Sequence, residues 1–131
     1  MDGEGAQKLV EVVVEGAQDI SQARKAAREI ASSLLVKAMI HGRDPNWGRV
    51  MMALGRSGIE FMESQVDVFI NDIHIVHEGK SIPYLVDAVV SAMNVDEIQI
   101  RANINTGTSM ATAWGCDLTE EYVTFISAYS T

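Results

Sequence analysis

Residues 98–104 read IQIRANI, with Ile98, Ile100, Ala102 and Ile104 alternating with Gln99, Arg101 and Asn103. Successive side chains on a strand point to opposite faces, so this segment reads as a strand with one apolar and one polar side. It is the cleanest period-2 pattern in the chain. Such a strand fits a sheet that is covered on one face.

Upstream, residues 8–15 (KLVEVVVE) are rich in valine, whose β-branched side chain favours a pleated strand, and Gly16 closes the run. Residues 19–41 read as one helix, because Ile20, Ala23, Ala27, Ile30, Leu34 and Met39 recur at helical spacing. Asp19 and Gln22 resemble a capping box, and Gly42 stands where a helix usually stops. A second helix is expected after Asp44-Pro45, with Asp44 as N-cap and Pro45 at the first position. It carries Val50, Met51 and Leu54 inward and ends near Gly58.

Val66, Val68 and Ile70, then Ile73 and Ile75, flank Asn71-Asp72 as a hairpin would, with either alignment of the turn open. A third helix is predicted over 81–94, with Leu85, Val89 and Met93 on one side. Strand candidates follow at about 109–117 and about 121–128. The order β-α-α-β-β-α-β-β-β predicts an α+β fold, a mostly antiparallel sheet with helices packed on one face. No linker or repeat divides the chain, so residues 1–131 are expected to form one unit.

The composition sets outer bounds. The 131 residues are 47% hydrophobic and 21% charged, as in an ordinary globular domain. A net charge of -8 argues against nucleic acid and anionic membranes as partners. The single cysteine, Cys116, excludes an internal disulfide and a cysteine zinc site and fits a reducing compartment. The opening MDGEGAQ lacks the basic region and apolar run of a signal peptide, and no stretch approaches the roughly 18 apolar residues of a membrane span. A cytoplasmic location is expected.

Polar clusters give candidate chemistry. Asp2-Gly3-Glu4-Gly5 places two carboxylates in a glycine-flanked turn, able to bind a substrate ammonium or simply to lie solvated. In Gly42–Arg49 (GRDPNWGR), Arg43, Asp44, Asn46 and Arg49 suit either a buried hydrogen-bond network around Trp47 or a helix start pinned by Asp44. The segment lacks the Lys-Ser/Thr ending of a phosphate loop. His74 and His77 are separated by an odd count, so on a strand they are expected to face opposite sides. His41 is expected at a helix C-terminus. With no HExxH and no third ligand at useful spacing, no metal is expected. Cys116 alternates like a buried, inert thiol. Ser127, Ser130 and Thr131 bring hydroxyls without a nucleophile-elbow sequence.

Four stretches, DGEGAQK (2–8), GRDPNWGR (42–49), ATAWGCDLT (111–119) and YST (129–131), together resemble the ornithine acetyltransferase (glutamate N-acetyltransferase) family in order and spacing. The resemblance spans nearly the whole chain and identifies it as the C-terminal part of the family's β chain. It implies acetyl transfer from N-acetylornithine to glutamate through an acetyl-threonine ester, by a threonine freed when the precursor cuts itself. That nucleophile is not among these residues, so no catalytic residue is assigned. By the same resemblance, Glu4 and Thr131 contact substrate. The family's asparagine five residues before the end is replaced by Ile126, which can neither donate nor accept; Ser127 beside it is the substitute candidate. The implied partners are the α chain, the rest of the β chain and the amino-acid substrates, in a hetero-oligomer, with no cofactor. The alternative is a non-catalytic amino-acid-binding or assembly module of the same descent.

Overall fold

The computed structural model of the chain describes residues 8–116. Strands β1 (Leu9–Ala17), β2 (Asp67–Ile70), β3 (Ile73–His77), β4 (Lys80–Ser81), β5 (Glu97–Asn103) and β6 (Ser109–Cys116) form one sheet in the order β4-β3-β2-β5-β1-β6. The helices are α1 (Ile20–Ser32), α2 (Leu34–His41), α3 (Trp47–Arg56) and α4 (Val86–Ala92). Every neighbouring strand pair is antiparallel except β1 and β5, which run parallel from Leu9↔Glu97 to Glu15↔Asn103. The α+β, mostly antiparallel expectation holds; the parallel pair at its centre is an addition.

The alternation in β5 does what its sequence predicts. Ile98, Ile100 and Ala102 are buried, and so are Val10, Val12 and Val14 beside them on β1. Over this face lies α1, whose buried side chains are Ala23, Ala26, Ala27, Ile30 and Ala31. Four alanines out of five let the helix sit close to β1 and β6, which it touches. Val36 and Met39 of α2, Val50 and Leu54 of α3, and Val89 and Met93 around α4 complete the same core. Each enclosed valine, leucine or isoleucine contributes about 1.5–3 kcal/mol of transfer free energy.

Three helical expectations need correction. The predicted single helix over 19–41 is two, because Ser33 is extended at φ -69° and ψ 125°. Its hydroxyl accepts the Val36 amide at 3.2 Å, so the serine ends one helix and caps the next. Asp44 and Pro45 do not open α3; Asn46 is its N-cap. The third predicted helix begins not at Ser81 but at Val86, since Pro83 holds Ile82 extended, where its amide donates to Ile75 at 3.2 Å. Leu85, expected on one side of the helix with Val89 and Met93, is 77% exposed while those two are buried. The strand candidate at about 121–128 lies outside the described residues.

Two loop devices set the sheet's geometry. Asn71 and Asp72 both have positive φ, 46° and 69°, as a primed hairpin turn requires. Gly16, at φ 74°, turns its carbonyl toward the amides of Thr106 and Gly107 at 2.7 and 2.8 Å. A register shift between Val14 and Ala17 accompanies it.

Candidate functional site

The sheet face opposite the helices carries the side chains with chemistry. From the registers, His74, Phe69, Arg101, Val13 and Thr112 form one row across β3, β2, β5, β1 and β6. Gln99, Glu11 and Trp114 form the row beside it. Apart from buried Val13, these side chains are half-buried. The Arg101 guanidinium bonds Glu15 at 2.8 Å and lies 4.0 Å over the Phe69 ring. At the other end of the face, Glu11, Glu97, Gln99 and Trp114 line a shallow groove of about 210 Å³. Two carboxylates beside an indole make a surface suited to cationic groups.

Asp67 is the focus of the β2–β3 edge. Its Oδ1 accepts the Glu78 amide at 3.0 Å and lies 2.8 Å from His77 Nδ1 and 3.6 Å from His74 Nε2. Asn105 Nδ2 donates to its Oδ2 at 3.4 Å. Burial alone pushes the Asp67 carboxyl up, but the Glu78 amide, the His77 and Asn105 hydrogen bonds and the nearby His77 charge outweigh it and hold the group below the usual carboxylate value. The two imidazoles meet edge-on, centroids 5.4 Å apart at 80°. His74 is stacked on Phe69 at 4.2 Å.

The opposite-faces expectation for His74 and His77 is overturned by a bulge. Val68 pairs with Val76 but Phe69 pairs with His74, so β2 advances one residue while β3 advances two. Ile75 is the extra residue, and both it and Val76 are buried. One inserted residue reverses the parity of everything beyond it, which brings His77 to the side of His74. Asp67, His74 and His77 then offer ligand atoms all within 4.8 Å of one another. Sequence reading missed this cluster because a bulge leaves no mark in residue spacing.

The other candidates fall as follows. Glu4, Ser127 and Thr131, the three substrate-binding candidates, lie outside the described residues, as does Ile126. In GRDPNWGR, Arg43, Asp44 and Asn46 are exposed, so no buried network forms among them. Arg49 instead donates to the Leu35 carbonyl at 3.2 Å, and Trp47 packs against the core. Arg43 has φ 53°, directly after the C-cap Gly42. His41 closes α2 as expected. Cys116 is half-buried rather than a core thiol; β6 alternation places it on the open face, opposite Leu9 in register.

Comparison with known proteins follows the same chain. The family model described as the ArgJ family matches residues 1–131. The arginine biosynthesis bifunctional protein ArgJ of Symbiobacterium thermophilum is 45% identical over 130 residues, covering 99% of this chain and 32% of that protein. Its counterpart in Parasynechococcus marenigrum is 42% identical with the same coverage. The crystal structure of the Bacillus halodurans protein of that name superposes with a TM-score of 0.86 at 37% identity, covering 92% of this chain and 57% of that one. The chain thus spans about a third of the length of the curated relatives it matches.

Proposed function

The chain belongs to the ArgJ family, and from that premise we propose that it is the substrate-holding C-terminal part of a glutamate N-acetyltransferase β chain. The observation that carries this reading is the family match over residues 1–131. In the proposed reaction a threonine hydroxyl, supplied from outside these residues, attacks the acetyl carbonyl of N-acetylornithine. The amide C–N bond breaks, ornithine leaves with the proton on its amine, and an acetyl-threonine ester remains. The amine of glutamate then attacks the ester, forming N-acetylglutamate and restoring the hydroxyl. Glu4 meets the cationic part of the substrate, where an unpaired ammonium is costly to enclose. Thr131 and Ser127 supply hydroxyls to the amino-acid head group.

The partners in this reading are the α chain and the remainder of the β chain. Exposed Leu34, Met52, Leu85 and Met110 support it, since large apolar side chains left uncovered suit contact with further protein. No helix among the described residues is long and apolar enough to cross a membrane.

The test is reconstitution with the remaining portions of the enzyme, followed by acetyl exchange between N-acetylornithine and glutamate. Exchange is expected, with Glu4→Gln raising KM for N-acetylornithine about 10- to 100-fold, a loss of one charge-assisted contact. An assembled complex with no exchange overturns the reading. Ile126 favours the second one, a binding or assembly module. If Ile126→Asn leaves exchange and substrate affinity unaltered, the pocket is unused and that alternative gains.

A further inference from the structure

We propose that Asp67, His74 and His77 form a binding site for one divalent transition-metal ion of the zinc, nickel or cobalt class. Three observations carry it. First, the donor set is right: two imidazole nitrogens and one carboxylate oxygen select borderline metals over magnesium or calcium, which prefer all-oxygen shells. Second, the donors converge. His77 Nδ1 and His74 Nε2 lie 2.8 and 3.6 Å from Asp67 Oδ1, bracketing the roughly 3.3 Å that separates ligands around a tetrahedral ion with bonds near 2.0–2.1 Å. Third, His74 Nε2 is enclosed, makes no hydrogen bond and points at this carboxylate. A buried ring nitrogen without a partner costs free energy that a metal bond recovers.

The surroundings hold the donors in a ligating posture. Stacking on Phe69 fixes the plane of the His74 ring. The Glu78 amide and Asn105 orient the Asp67 carboxylate. With His77 Nδ1 on the ion, its Nε2–H faces the Glu78 carboxylate at 3.8 Å, the outer partner that ligating imidazoles usually have. Ion binding requires the Asp67–His77 pair to open by a few tenths of an ångström and the imidazoles to close together. Side-chain exposures of 33% for His74 and 50% for His77 leave a path for the ion and one exchangeable position for water. The bulge at Ile75 has a role here, since without it His77 points into the core.

The test is calorimetric titration of the full chain, as isolated and stripped with chelator, with Zn2+, Ni2+ and Mg2+ separately. Expected are one zinc or nickel ion per chain, no comparable magnesium binding, and a metal-dependent rise in Tm. His74→Gln and His77→Gln each weaken binding at least tenfold, while His41→Gln, on α2, leaves it unchanged. Equal zinc affinity in the wild type and the His74→Gln/His77→Gln double variant, itself shown folded by circular dichroism, overturns the proposal. Its failure leaves the acetyl-transfer reading untouched, because neither histidine enters that reaction.

Discussion

Asn71 Oδ1 accepts the backbone amide of Gln99 at 2.7 Å, while its Nδ2 donates to the Ala92 carbonyl at 2.7 Å. One side chain therefore joins the β2–β3 turn to strand β5 and to the last residue of α4. Asparagine is suited to this on two counts. It both donates and accepts, and it tolerates the left-handed backbone found there better than other residues with a Cβ.

Asn71→Ala removes both bonds, leaves the partly buried Gln99 amide unmet and puts alanine at φ 46°. The expected cost is about 2 kcal/mol or more, from roughly 0.5–1.5 per bond plus the unsatisfied group. Asn71→Asp keeps the acceptor and is expected to lose less. Urea unfolding with an unchanged slope checks both; a midpoint shift equivalent to under about 0.5 kcal/mol for Asn71→Ala contradicts the role assigned to the side chain.

Glycines in this fold divide into those that cannot change and those that can. A Cβ at Gly16 collides with Asn103 Oδ1 and stands 2.8 Å from the Asn105 amide, at a φ of 74°. At Gly55, near the end of α3, it meets nothing within 4 Å. Gly16→Ala is expected to destabilise by about 2 kcal/mol or more, and Gly55→Ala to stabilise by about 0.5–1 kcal/mol. Thermal melts of the two variants should move in opposite directions.

Arg43 offers a complementary gain. A helix that ends in a left-handed residue usually places glycine there. Here Gly42 is right-handed, at φ -86°, and the left-handed position falls to Arg43. Arg43→Gly is expected to raise stability by about 0.5–1 kcal/mol, read as a higher urea midpoint. No gain means that interactions of the arginine offset its backbone strain.

How much of this was legible in the sequence follows from the kind of signal each element leaves. Strand β5 was readable because alternation is a direct image of the pleat, and the Asn71-Asp72 turn because few residue pairs suit it. The break at Ser33 was not, since the apolar stripe from Ile20 to Met39 continues across it and only a hydroxyl bonding the Val36 amide divides the helix. Ser33→Ala, which removes that cap, is accordingly expected to cost about 1 kcal/mol in the same urea assay. The Asp67 cluster was illegible for a deeper reason. It depends on register between two strands, and spacing within either strand carries no information about a residue inserted between them.

The electrostatics of Asp67 give a pH signature that tests its environment in metal-free buffer. Its native pKa is lowered, so the unfolded chain binds a proton more readily than the native one. The stability this contributes is fully present above the ordinary carboxylate value and is lost as pH falls through the lower native value. Asp67→Asn retains an acceptor for the Glu78 amide but removes the charge, so it isolates the electrostatic part. The wild type is expected to be more stable than Asp67→Asn at pH 6, with the gap shrinking below about pH 4 as the unfolded-state carboxyl takes up its proton. His74 and His77 also face this carboxylate, and the Glu78 carboxylate lies beyond His77. Repeating the comparison in a His77→Gln background removes the nearest of them. There the gap should be smaller at pH 6, since the His77 hydrogen bond and charge are two of the causes that lower the carboxyl. A gap that stays constant from pH 6 to pH 3 in both backgrounds means that the Asp67 carboxylate is held no more firmly in the folded protein than in the unfolded chain.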